Sequence, residues 1–110
     1  MVDFVKGHVG DIGIHSMNLA EVHSKFHEKA GLAKAEEMLR LVQVNGIAVI
    51  DSVPKAMVSE IGRLKVSYGL GMLDATALAT AVWKEAVLVT RDRQAFEGIK
   101  KAGLYKVQLY

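Results

Sequence analysis

Short apolar runs alternate with longer segments of helical periodicity along this 110-residue chain. Runs of this length predict strands, and the segments between them, with apolar residues three or four apart, predict helices. Strands separated by helices are typical of right-handed crossovers in a parallel sheet. The sequence therefore predicts a three-layer α/β/α fold with a mostly parallel sheet. Its strands are expected at residues 11–16, 47–53, 86–90 and 106–110.

Local signals set the helix boundaries and give the order β-α-α-β-α-α-β-α-β. Asn18 is expected to be the N-cap of the first helix, with Glu21 in the capping-box position three residues later. Pro54 is expected at the start of the third helix. The fourth helix is almost wholly apolar and is predicted to lie in the core, and the 47–53 run is predicted to be buried on both faces. The second, fourth and fifth helices are expected at residues 33–44, 72–84 and 93–102 respectively.

The composition restricts the class of protein. The length and a 51% hydrophobic content fit one domain over residues 1–110. The absence of cysteine excludes disulfides, thiolate zinc sites and cysteine nucleophiles. A bilayer span needs about 20 apolar residues, and no uncharged run approaches that length, so no membrane partner is expected. The N-terminus has no secretory pattern, and a cytoplasmic location is therefore expected.

Three acidic residues lie where strands end or where helices begin. Glu21 follows the first strand, Asp74 begins the apolar helix, and Asp92 comes two residues after Thr90, the last residue of a strand. Functional groups of parallel sheets gather beyond the carboxyl ends of the strands, so we expect these carboxylates to converge. Converging carboxylates repel one another unless a cation lies between them, which favours a divalent metal site. Each acid alone also has a structural explanation, as capping-box residue, helix-dipole partner and N-cap respectively.

Three segments resemble PIN-domain proteins, and the resemblance runs from about residue 10 to residue 110. These segments are Met-Leu-Asp-Ala-Thr-Ala-Leu-Ala-Thr-Ala at 72–81, Val-Leu-Val-Thr-Arg-Asp-Arg-Gln-Ala-Phe at 87–96 and Ile-His-Ser-Met-Asn-Leu-Ala-Glu-Val at 14–22. The resemblance implies a metal-dependent ribonuclease, often the toxin of a bacterial toxin–antitoxin pair. It implies that Glu21, Asp74 and Asp92 hold Mg²⁺ or Mn²⁺, and that Thr90 supports a ligand or contacts the substrate phosphate. RNA and an antitoxin protein are the implied partners.

PIN domains open with a strand that ends in an aspartate and is followed by two helices, and this chain looks truncated there. A parallel crossover needs a dozen or more residues, so Asp3 is not expected to reach the family's first-aspartate position by that route. Residues 1–10 look instead like the tail of a helix. Three arrangements could fill the gap in the sheet. The flanking strands could pair directly, residues 1–5 could fold back as an antiparallel strand, or a second copy could supply the strand in a homodimer or swapped oligomer.

A basic stretch follows the last acid of the set. Positive residues outnumber negative ones by three between Arg91 and Lys106, which suits phosphate binding and equally suits an ordinary solvated surface. The leading hypothesis is a metal-dependent endoribonuclease whose activity could be weakened by the truncation. The alternative is a catalytically silent PIN-like module that acts by self-association or protein binding. The candidate phosphate contacts are Arg91, Arg93, Lys100 and Lys101.

Overall fold

The computed structural model describes residues 3–7 and 12–110. Over these residues the chain forms one five-stranded sheet and five helices. The strands are β1 (Phe4–Lys6), β2 (Ile12–His15), β3 (Ala48–Ile50), β4 (Val87–Thr90) and β5 (Val107–Leu109). The helices are α1 (Ser16–Ala30), α2 (Leu32–Val44), α3 (Lys55–Tyr68), α4 (Met72–Trp83) and α5 (Arg93–Ala102). The α/β fold and the order of the helices agree with the sequence prediction.

The start of α1 differs from the prediction. His15, the last residue of β2, is the N-cap, and its Nδ1 accepts a hydrogen bond from the Met17 N–H at 3.1 Å. The helix therefore follows the strand without a loop, and Asn18 is a buried residue inside it rather than its cap. Glu21 consequently lies beyond the first turn. The capping-box explanation for Glu21 is therefore wrong.

The sheet is mixed rather than mostly parallel. Its strand order is β3-β2-β1-β4-β5, in which β2 and β3 are parallel and β4 and β5 are parallel. The central strand β1 is antiparallel to both of its neighbours. The fold-back arrangement is thus the one adopted, and residues 4–6 form a strand rather than the tail of a helix. For residues 1, 2 and 8–10 the helix-tail prediction lies outside the described residues.

Hydrogen-bonded pairing with both β2 and β4 explains how the three-residue strand β1 can lie at the centre of the sheet. Val5 lies opposite Gly13 on one side and Leu88 on the other. A buried backbone group left without a partner costs about 1–3 kcal/mol, so a missing central strand would penalise both β2 and β4. The Val5 side chain is 4% exposed and belongs to the main core. This short strand therefore closes the sheet and contributes to the core.

The main core lies between the sheet and the helices α3, α4 and α5. Its most deeply buried large side chains include Leu64, Leu78, Leu88 and Phe96, which confirms α4 as a core helix. The prediction that the 47–53 run is buried on both faces is wrong, because β3 is an edge strand and Val49 is 45% exposed. Within the described part of the chain, no helix has the length and apolar character needed to cross a membrane.

Candidate metal centre

The reversed direction of β1 brings Asp3 to the carboxyl edge of the sheet. Since β1 runs opposite to β2 and β4, its N-terminal end lies where those two strands finish. Asp3 directly precedes β1 and is 7% exposed. The Oγ1 of Thr90, at the end of β4, donates a hydrogen bond to Asp3 Oδ1 at 2.5 Å. The crossover argument therefore excluded Asp3 only for a parallel strand, and the chain uses an antiparallel one.

The three acids predicted from the sequence lie around the same pocket as Asp3. This acidic pocket has a volume of 410 Å³. Glu21 comes from α1, Asp74 from the first turn of α4, and Asp92 from the N-cap of α5. The expectation that strand exits bring these side chains together agrees with this placement. The described residues that line the pocket are Asp3, Glu21, Lys25, Gly71, Met72, Leu73, Asp74 and Asp92.

Thr90 connects the Asp3 carboxylate to the backbone of Asp92. Besides donating to Asp3, its Oγ1 accepts a hydrogen bond from the Asp92 N–H at 3.1 Å. Asp92 Oδ1 in turn accepts from the Ala95 N–H at 3.0 Å and caps α5. The Thr90 side chain is completely buried. The geometry therefore favours a supporting role for Thr90 over direct contact with a substrate phosphate.

Asp74 is the carboxyl most affected by its surroundings. Burial is the main cause that raises its pKa from 3.8 to about 8, and hydrogen bonding and repulsion from the Asp3 and Asp92 carboxyls add to the shift. A carboxyl with such neighbours favours the protonated form until a cation offsets the negative charge. This electrostatic crowding is the property that a divalent ion would relieve.

A buried asparagine fixes α1 against the start of α4. Asn18 Nδ2 donates to the Leu73 carbonyl oxygen at 2.9 Å, one residue before Asp74. Glu21 lies three positions after Asn18 and therefore on the same side of α1. Among the described residues, Asn18 Oδ1 is the one buried side-chain oxygen or nitrogen with no hydrogen-bond partner. Asn18 thus sets the spacing between the helices that carry Glu21 and Asp74.

The residues around the acidic pocket fit a hard divalent cation by their chemistry. Carboxylate oxygens are the ligands that Mg²⁺ and Mn²⁺ prefer, and Mg²⁺ keeps several waters, so a few carboxylates suffice. Over residues 3–7 and 12–110, no three acidic or histidine side chains already meet at metal-ligand positions. Hydrogen bonding of Asp74 with the Asp3 and Asp92 carboxyls relieves their repulsion as long as Asp74 keeps its proton. Binding an ion would therefore require Asp74 to lose that proton.

The basic residues predicted to contact RNA are not among the described residues that line the acidic pocket. Arg91, Arg93, Lys100 and Lys101 are all exposed, and none belongs to the described lining of the pocket. The Arg91 guanidinium lies 5.9 Å from the centre of the Tyr110 ring. Lys25, which the sequence reasoning did not single out, does line the pocket. Its position four residues after Glu21 on α1 could have indicated it.

Comparison with known proteins covers most of the chain. A sequence model described as PIN domain matches residues 2–102, a range that includes Asp3, Glu21, Asp74 and Asp92. No curated protein and no solved structure gives a significant match. The matched range includes the reversed strand and all four acids of the pocket. The chain belongs to the PIN domain family.

Proposed function

We propose that the chain is an endoribonuclease that hydrolyses RNA phosphodiesters with the help of Mg²⁺ or Mn²⁺. Membership of the PIN domain family supports a nuclease fold. The observation that carries the proposal is the placement of Asp3 in one pocket with Glu21, Asp74 and Asp92. With Asp3 the acidic set has four members, one of which was not expected from the sequence.

The four carboxylates would hold the ion, and the ion when bound would neutralise the scissile phosphate and make a water molecule a better nucleophile. The chain's own residues prepare this site. Thr90 holds Asp3 and the Asp92 backbone, and Asn18 ties α1 to α4. Lys25, beside the carboxylates, is placed to attract a phosphate oxygen. Without a cation the negative pocket repels RNA, so both binding and cleavage should depend on the metal.

The proposed partners follow from the ribonuclease hypothesis. RNA is the proposed substrate, with the exposed cations Arg91, Arg93, Lys100 and Lys101 as candidate contacts to phosphates away from the cleavage site. A toxin role, with an antitoxin protein as the second partner and the cytoplasm as the location, completes the proposal. Self-association as a homodimer or swapped oligomer remains part of it, although β1 already fills the sheet in a single chain.

A second candidate function is a catalytically silent module that binds another protein or another copy of itself. Two observations favour it. No three ligand side chains already converge within the described residues, and a hollow of 260 Å³ on the sheet is lined largely by the apolar side chains of Phe4, Ile12, Ile47 and Val89. Exposed apolar surface of this kind is typical of interaction sites.

A cleavage assay separates the two functions. Purified protein is incubated with single-stranded RNA in Mn²⁺ or in a chelator, and the products are resolved by length. Metal-dependent internal cleavage that is lost in Asp74→Asn supports the nuclease. RNA that stays intact with the parent protein, together with no heat of Mn²⁺ binding at millimolar metal, contradicts it and leaves the silent module.

A further inference from the structure

An apolar groove adjoins the acidic pocket. It has a volume of 470 Å³ and lies between the end of β2, the N-terminal part of α4 and one face of α3. Met72 and Leu73 line both the groove and the acidic pocket, so the two spaces share a wall. A molecule bound at the carboxylates therefore has immediate access to this groove.

The groove is open and its rim is apolar. Met17, Val58 and Met72 are each more than half exposed, although all three are large hydrophobic residues. Gly62 adds to the open space, because a Cβ atom built on it meets no other atom within 4 Å. In the part of the lining that the structure describes, there is no carboxylate, and Lys65 is the only lysine.

We propose that this groove receives one unpaired nucleobase of an RNA strand whose phosphate lies at the acidic pocket, and that Lys65 contacts the strand beyond that base. The inference rests on the proposed ribonuclease function and adds to it a groove that binds one base. Apolar side chains pack against the faces of a base, and cations follow the backbone. A base held in a duplex is stacked and paired and cannot enter such a groove.

Two features favour a nucleobase over the apolar side chain of a partner protein. A phosphate bound at the carboxylates would lie in the pocket that shares the Met72–Leu73 wall with the groove, so its own nucleoside would be next to the groove. The lysine of the groove also has the sign of charge that attracts a phosphodiester backbone.

The first test fills the groove without damaging the fold. Gly62→Leu adds a side chain where there is open space, and leucine is a better helix former than glycine. Gly98→Leu is the matched control, because Gly98 is also an exposed helical glycine with open space around its Cβ position and does not line the groove. Binding of a fluorescein-labelled single-stranded phosphorothioate RNA octamer in Mg²⁺ is measured by fluorescence anisotropy. We expect about tenfold weaker binding for Gly62→Leu and unchanged binding for the control.

A second pair of variants tests the same groove through charge. Val58→Asp places a carboxylate on the rim of the groove, whereas Val66→Asp places one on the same helix at a residue that is 89% exposed and outside the groove. Val58→Asp should weaken RNA binding and Val66→Asp should not. An abasic nucleotide moved through the octamer should weaken binding to the parent protein at one position, and Gly62→Leu should abolish that position effect.

The outcomes separate the groove from the nuclease. Equal RNA binding by Gly62→Leu and Gly98→Leu, or equal binding of duplex and single strand by the parent protein, overturns the groove proposal and leaves the groove to an apolar side chain of a partner protein. Because the assay reads binding and not cleavage, it does not depend on turnover. RNA that binds in the groove but is never cut in Mn²⁺ overturns the proposed nuclease alone.

Discussion

The Thr90 hydroxyl donates a hydrogen bond to the Asp3 carboxylate across 87 positions of sequence. The bond joins the end of β4 to the start of β1, and it forms at the edge of the sheet only because β1 runs antiparallel to its neighbours. A parallel strand of the same residues would carry its N-terminal aspartate to the opposite edge. The direction of three residues thus decides whether the acidic pocket has three or four carboxylates.

Removing this hydrogen bond tests how Asp3 is held. Thr90→Val keeps the shape of the side chain and removes the donor, so the buried Asp3 carboxylate loses a partner. We expect the free energy of unfolding, measured by urea denaturation, to fall by about 1–3 kcal/mol, with weaker Mn²⁺ binding by calorimetry. Ser67→Ala, at an exposed position of α3, serves as the control. Stability and metal affinity equal to those of the parent protein would contradict the supporting role of Thr90.

Neutralising one carboxylate tests the acidic pocket itself. Asp74→Asn and Asp92→Asn should each abolish Mn²⁺-stimulated RNA cleavage and leave the fold intact, because asparagine keeps the size of aspartate and is also a good N-cap for α5. Loss of a residue that only supports a metal ligand typically costs about 10–100-fold in metal affinity or activity, so loss of a ligand itself should cost at least as much. Glu97→Gln, an exposed change on α5, should cleave as the parent protein does. Cleavage by both aspartate variants at the parent rate would mean that the site is wrongly assigned.

The stability of the metal-free chain should depend on pH through Asp74. Burial and the neighbouring Asp3 and Asp92 carboxyls raise the pKa of Asp74 to about 8 in the folded chain, against 3.8 for an unperturbed carboxyl. The folded chain therefore retains a proton that the unfolded chain has lost, and the free energy of unfolding falls as the pH rises between these two values. Asp74→Asn should flatten this part of the profile.

Thermal unfolding in a chelator at two pH values between 3.8 and about 8 measures the effect. The parent protein should have the lower midpoint at the higher pH, and excess Mn²⁺ should reduce the difference between the two pH values. If the unfolding midpoint of the parent protein changes with pH in the same way as that of Asp74→Asn, the Asp74 carboxyl is not crowded by its neighbours.

An engineered disulfide tests whether β1 runs antiparallel to β2 and whether the two strands belong to the same chain. Lys6 and Ile12 lie opposite each other in the antiparallel pair, and the natural chain has no cysteine to interfere. Antiparallel partners have Cα atoms about 4.5–5.5 Å apart, a separation that a disulfide spans. Lys6→Cys combined with Ile12→Cys should oxidise to a monomer with an internal crosslink, detected by non-reducing electrophoresis and intact mass. A crosslinked dimer would show instead that the strand is exchanged between two copies.

Much of the site could be predicted because the rule behind it is topological. Glu21 and Asp92 come after the ends of β2 and β4, and Asp74 lies in the first turn of α4. Functional groups of sheets with parallel strands gather beyond the carboxyl ends of those strands. The α5 prediction matches the observed helix because Asp92 caps its start and Gly103 ends it in a left-handed conformation. Both signals are local in the sequence, and packing against the rest of the fold did not move the ends of the helix.

Asp3 was missed because the length argument assumed a parallel strand. A hairpin needs only a few residues between its strands, and residues 4–6 are separated from β2 by a segment that contains Gly7 and Gly10. Those glycines, with an aspartate just before an alternating strand, were the available signal. Asn18 was predicted to cap α1 because asparagine is a preferred N-cap residue, whereas the observed cap is His15 at the end of β2.

The most direct test of the account is the position of a bound metal. A crystal soaked in Mn²⁺ would locate the ion by its anomalous scattering. The account predicts one peak inside the acidic pocket, at about 2–2.6 Å from carboxylate oxygens that include those of Asp3 and Asp74, and the loss of that peak in Asp3→Asn. A peak that persists unchanged in Asp3→Asn, or no peak in the pocket at saturating Mn²⁺, would contradict the claim that the antiparallel strand completes the metal centre.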